Sequence, residues 1–176
     1  ILPVDLDGDG HLDHVVVYAP MGLGSDAQEA VRSLKRTWTK GGVGDVRVAV
    51  AGHGELRTLR VLPQPYGGRV DALLGPDGGA RVWGSVTPFV PLEAQVVAEL
   101  TSRGLPEATV EVRPWDAQTL RLRHAIRVRR APASPPPVDV GFALRLTFAE
   151  RIQGPLSLGY GSHFGLGLFE ACDGSL

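Results

Sequence analysis

Two stretches of this chain repeat apolar residues at helical spacing, and each follows a short β-branched run. In SDAQEAVRSLKRTW, residues 25–38, Ala27, Ala30, Val31, Leu34 and Trp38 form one apolar stripe. Ser25 is a candidate N-cap, and Asp26 and Glu29 suit a first turn. The second helical stretch is LEAQVVAELTSRG, residues 92–104, stopped by Gly104 and Pro106. HVVVYAP (14–20) and RVWGSVTPFV (81–90) precede the two helices and read as strands, the first of them buried. VRVAVAG (46–52), ELRTLRVLP (55–63), TVEVRPW (109–115), RLRHAIRVRR (121–130) and VGFALRLTFAERIQGPLSLG (140–159) read as further strands. The Pro- and Gly-rich 63–80 segment and APASPPPV (131–138) read as loops, the first as a loop or irregular hairpin. The order β-α-β-β, then β-α-β-β-β, predicts an α+β chain of tandem ferredoxin-like (RRM-like) units, residues 1–78 and 79–176. The repetition is one of pattern, not of identical residues.

A chain of 176 residues can bury a sizeable core. Its net charge of −1 predicts no partner, but the charge is unevenly placed. Residues 1–13 carry acids only, whereas eight arginines lie between Arg113 and Arg151 against Asp116, Asp139 and Glu150. Lys35 and Lys40 are the only lysines among 18 basic residues. Arginine forks suit phosphates and stack on bases, although a GC-rich genome has the same effect on composition. A single cysteine, Cys172, excludes an internal disulfide and a multi-cysteine zinc site, and points to an intracellular compartment. No apolar run approaches the ~20 residues of a membrane span.

DLDGDGHLDH, Asp5 to His14, places aspartates at positions 1, 3, 5 and 9 of a loop and glycine at position 6. This is an oxygen-ligand pattern for calcium, with Asp5, Asp7, Asp9 and Asp13 as side-chain candidates and the His11 carbonyl at position 7. The bidentate Glu that would close an EF-hand loop is replaced by Val16, and no helix flanks the loop, so this is not an EF-hand. The competing reading is an acidic turn whose carboxylates bond backbone amides.

GPLSLGYGSHFGLGLFEA, Gly154 to Ala171, alternates Gly159, Gly161, Gly165 and Gly167 with Tyr160, His163, Phe164 and Phe169. Glycines let backbone amides approach a phosphate chain, or make a bulged hairpin. Together with DGDGHLDHVVVYAP and GSVTPFVP, in that order, this segment resembles the CRISPR-associated RAMP superfamily. Within it the resemblance is to the repeat-RNA-processing half of the fused backbone-and-processing protein of type I-G (formerly I-U) systems.

The resemblance implies a prokaryotic, cytoplasmic endoribonuclease that binds a CRISPR repeat RNA hairpin and cleaves it without metal. The 2′-hydroxyl attacks and leaves a 2′,3′-cyclic phosphate. It also implies partner subunits of a type I effector complex and, since the sequence starts at Ile1, an upstream RAMP domain of the same polypeptide. No cofactor is required for cleavage; calcium at the acidic loop would be structural. A histidine near neutral pKa is the expected proton carrier. His53 reads as a turn residue and His124 as an RNA contact. His163, inside the glycine motif, ranks above His14, which Asp13 can orient. The loop after the first strand, residues 20–25, would face the glycine motif and bring Tyr18 close. Arg121, Arg123, Arg127 and Arg129 would form one basic strand face for the RNA backbone, with Gly159, Gly161, Ser162, Gly165 and Gly167 as the phosphate-binding loop. The alternatives are a non-catalytic RNA-binding subunit of the same assembly, and a calcium-binding surface module.

Overall fold

A computed structural model describes residues 1–38, 45–90, 93–117, 119–123 and 140–172. The chain is α+β. Its centre is a five-stranded antiparallel sheet built from β5 (Ala80–Ser85), β6 (Ala108–Val112), β7 (Leu144–Ile152), β8 (Leu156–Ser157) and β9 (Leu168–Ala171), in the order β6-β7-β5-β9-β8. Trp83 of β5 stands opposite Leu146 of β7 on one side and Ala171 of β9 on the other. Because side chains alternate along a strand, that register puts Trp83, Leu146 and Ala171 on one face with Val110 of β6. Helix α3 (Glu93–Ser102) covers this face with Val96 and Leu100, joining a core that includes Phe89, Phe148, Leu158 and Phe169. Here the sequence pattern and the fold agree: α3 and β7 lie within the stretches that periodicity assigns, and β5 and β6 begin one residue earlier, at Ala80 and Ala108.

The region before residue 80 differs from its expected form. Among the described residues it contains no four-stranded sheet. It has two separate two-stranded antiparallel ladders: β1 (Leu2–Val4) with β2 (His14–Val16), and β3 (Arg36–Trp38) with β4 (Asp45–Arg47). The first predicted strand is shorter than HVVVYAP and is not buried; Val15 and Val17 are exposed. Helix α1 (Ser25–Ser33) ends five residues before Trp38, since Leu34 turns extended and the Arg36–Trp38 segment joins a ladder instead. Gly24 takes the N-cap position and Ser25 is the first helical residue. The predicted apolar stripe of α1 buries none of its residues.

Two further corrections share a physical cause. ELRTLRVLP is not a strand: Leu56–Val61 is a 3₁₀ turn, and the spacing of Leu56 and Leu59 fits its three-residue repeat. The Pro- and Gly-rich segment after it is not a loop but helix α2 (Tyr66–Leu74), which buries Val70, Leu73 and Leu74 at i, i+3, i+4. Gly67 is a packing residue rather than a breaker. A Cβ there would lie 2.5 Å from the Leu62 carbonyl oxygen and 2.8 Å from that of Arg60, so only glycine lets α2 lie against the 3₁₀ turn. Arg60 then ties the two together, with Nη1 2.7 Å from Asp77 and 3.3 Å from Asp71.

RLRHAIRVRR also departs from a strand where it is described. Leu120–Arg123 is a short helix, α4, with Leu122 buried, and Thr119 and Asp116 cap it by exchanging hydrogen bonds. Arg121 and Arg123 therefore belong to a helix and not to the expected strand. Arg127, Arg129, His124 and the 131–138 loop lie outside the described residues.

The β1–β2 ladder is not independent of the sheet. Leu2 and Val4 are buried with Leu73 of α2 and Leu168 of β9. Among the described residues no helix is long and apolar enough to cross a membrane.

Candidate functional site

The acidic loop lies between β1 and β2. Oxygens of Asp5, Asp7 and Asp13 fall within 4.8 Å of one another. Three carboxylates at such spacing repel, and the loop offsets this with its own amides. Asp5 accepts hydrogen bonds from Gly8 N (2.7 Å) and Gly10 N (2.9 Å), Asp7 from Asp9 N (3.2 Å), and Asp13 from Leu6 N (2.9 Å). The turn needs glycine at two points, φ +80° at Gly8 and +92° at Gly10. Partial desolvation opposes ionisation of Asp5, but the Gly10 and Gly8 amides and the nearby Arg69 charge outweigh it and hold its pKa below the usual carboxylate value. Asp13 is likewise lowered: desolvation works against it, and the Leu6 amide and His14 overcome that.

Three of the four predicted carboxylates therefore converge. Asp9 stands outside the cluster, its Oδ1 turned to accept His11 N at 2.7 Å. Three hard oxygens suit a divalent hard cation. Aspartates satisfied by backbone amides are equally the anatomy of an acidic turn. His14 Nδ1 lies 3.1 Å from Asp13 Oδ1 but out of line for a hydrogen bond. Arg69 anchors the loop from below, with Nε donating to the Asp5 carbonyl (2.9 Å) and Nη2 3.4 Å from Glu170 of β9.

The glycine motif folds as a bulged connection between β8 and β9. Ser162–Phe164 form one 3₁₀ turn bracketed by Gly161 and Gly165, both left-handed. Most of the amides point inward. Gly159 N donates to Glu99 Oε2 of α3 (2.5 Å), Tyr160 N to Val90 O (2.6 Å), Phe164 N to Gly161 O (2.7 Å), Gly167 N to Pro88 O (2.8 Å) and Leu168 N to Thr87 Oγ1 (2.8 Å). The glycines permit close packing. A Cβ at Gly159 would meet Phe89 at 2.6 Å, and one at Gly167 would overlap the Leu158 carbonyl oxygen. Gly159, Ser162, Gly165 and Gly167 are buried and Gly161 is half-buried. So the segment is a packed hairpin, and the amides of Gly159 and Gly167 are spent within the protein.

The turn directs two side chains outward. His163 is exposed, and Phe164 is 74% exposed. Glu99 and Arg103, paired at 2.5 Å, hold the base of the turn, since Arg103 Nη1 donates to Ser157 O (2.7 Å). Neither residue stands out in the sequence as functional; their only signal is an i, i+4 charge pair on a helical stretch.

The two candidate histidines sit near opposite ends of β1. The Ile1 amino group is 3.4 Å from the His163 carbonyl, and Val4 pairs with His14. Three residues of strand separate them, on the order of 10 Å. They do not form a contact pair. The segment packed beside the glycine turn is Ile1–Pro3, where residues 20–25 were expected: Pro3 Cδ would lie 3.0 Å from a Cβ at Gly165. Tyr18 lies beyond β2, 40% exposed, and His53 is exposed between β4 and the 3₁₀ turn. Comparison of the chain with family models, curated proteins and solved structures finds no match.

Proposed function

We propose that the chain is an RNA-binding domain of the CRISPR-associated RAMP type and that it cleaves a repeat RNA hairpin by metal-independent 2′-hydroxyl attack. The observation that carries the reading is the glycine turn: a rigid, inward-bonded loop that presents one imidazole, His163, to solvent. Preorganisation of this kind is what a proton-transfer group requires. In the proposed step His163 takes the 2′-hydroxyl proton, the oxygen attacks the adjacent phosphorus, and the 5′-oxygen leaves with a proton from water or a second acid. The products are a 2′,3′-cyclic phosphate and a 5′-hydroxyl end. The arginine-rich 121–130 segment would neutralise phosphate charge.

Support also comes from the sheet. In β6-β7-β5-β9 the first strand of the unit lies inside, and β5-α3-β6 is a crossover, as in a ferredoxin-like unit. The return from β7 to β9 runs through β8 and the glycine turn instead of a second helix. His14 is the second candidate for proton transfer, and the acidic loop that precedes it is structural in this reading, with or without calcium. The separation of His14 from His163 favours one alternative, a binding subunit that does not cut. A labelled repeat RNA incubated in EDTA with the parent, His163→Ala and His14→Ala decides between them. Cleavage lost only in His163→Ala, with RNA still bound, is expected. A parent that binds and never cuts refutes the catalytic part.

A further inference from the structure

We propose that Phe164 stacks on a nucleobase and so makes the glycine turn a reader of unpaired RNA. The inference rests on the RNA-binding reading above and names what the turn itself would contact. The glycine amides at 159 and 167 are consumed by Glu99 and Pro88, and the Glu99 carboxylate lies directly behind Gly159. A phosphate gains little from such a loop and meets a negative group at its base. What remains for a ligand are the two exposed side chains, a phenyl ring and an imidazole.

The ring offers no charge and no hydrogen bond. Ile1 and Pro3 pack beside the turn, yet at 74% Phe164 is far more exposed than Ile1 at 48%, so the contact on offer is chiefly its ring. A base face fits that contact, and stacking on an exposed aromatic is how unpaired RNA is commonly held. Rigidity strengthens the case. Ser162 is buried, and Gly161 and Gly165 fix both ends of the turn in left-handed conformations, so the ring is held out without loop ordering on binding. In a 3₁₀ turn successive side chains diverge by about 120°, so Phe164 and His163 face different directions and can meet different groups of one strand.

The test uses a fluorescein-labelled oligouridylate with 2′-O-methyl riboses, which cannot be cleaved by 2′-oxygen attack, and the same backbone without bases. Anisotropy titrations compare the parent with Phe164→Leu and Phe164→Tyr. The parent is expected to prefer the base-containing strand. Phe164→Leu should weaken that binding about 5- to 150-fold, leave the abasic strand unaffected and keep the parent's melting temperature, while Phe164→Tyr retains the preference. Equal binding by parent and Phe164→Leu overturns the stacking role while leaving RNA binding in place. A parent that binds neither strand overturns the RNA-binding reading and the stacking role together. A Phe164→Leu variant that changes sedimentation of the chain but not its RNA affinity assigns the ring to a protein contact and overturns the proposal.

Discussion

Gly167→Ala tests the packing of the glycine turn most directly. Gly167 has φ +60°, and its Cα faces the Leu158 carbonyl so closely that an added methyl overlaps the oxygen. Its own N–H donates to Pro88 O and its carbonyl accepts from Leu158 N, both at 2.8 Å among buried residues. A left-handed alanine costs about 1–2 kcal/mol by itself. Relieving the overlap moves the backbone and strains or breaks the two hydrogen bonds, at about 1–3 kcal/mol for each group left unsatisfied. The sum is about 3–8 kcal/mol, against about 5–15 kcal/mol for a whole domain. Gly8→Ala is the control: φ is +80°, nothing lies within 4 Å of its added methyl, and only the backbone term of about 1–2 kcal/mol applies. Urea titrations followed by circular dichroism and tryptophan emission give both values, provided the slopes agree. A Gly167→Ala chain no less stable than Gly8→Ala would refute the close approach of Gly167 to Leu158.

Asp5→Asn probes the acidic loop. The folded-state pKa of Asp5 is lowered, so its charged form stabilises the fold above the unfolded carboxylate pKa, about 3.9. The melting-temperature gap between parent and Asp5→Asn should be full at neutral pH and close as pH falls below about 4; a gap that widens on acidification contradicts the assigned hydrogen bonds. Glu99→Ala strips the acceptor from Gly159 N and the partner from Arg103, and should cost about 1–3 kcal/mol in urea, with Glu99→Gln costing less. Equal losses in the two variants would mean that the contact is one of charge alone. Phe89→Ala empties a fully buried site beside Phe169 and Gly159 and should cost about 3–5 kcal/mol by the same assay; a loss under about 1 kcal/mol would place Phe89 outside the core.

What could be read in advance follows the range of the interactions. Strands β5, β6 and β7 and helix α3 carry their signal in local periodicity, and they appear where that periodicity lies. Helix α2 is hidden because composition reads its glycines as chain-breaking, whereas Gly67 serves a contact with Arg60 and Leu62. The Arg36–Trp38 segment looks helical by spacing until a partner strand is present to capture it. In the candidate site, aspartate spacing foretold the convergence of Asp5, Asp7 and Asp13, but not that Asp9 turns to the His11 amide. The glycine alternation marked a turn, yet its amides answer to Glu99, Val90 and Pro88, which lie far away along the chain. Only three-dimensional pairing assigns those partners.

The small core beneath the acidic loop has a consequence for assembly during synthesis. Leu2 and Val4, made well before β9, are buried against Leu73 and against Leu168. The centre of the sheet waits as well, because Ser85 pairs with Phe169. Until β9 has been made, Leu2, Val4 and Leu73 stay without their full cover. Such long-range closure is slow to find. A chain interrupted before residue 168 would be a target for chaperones rather than a smaller version of the same fold.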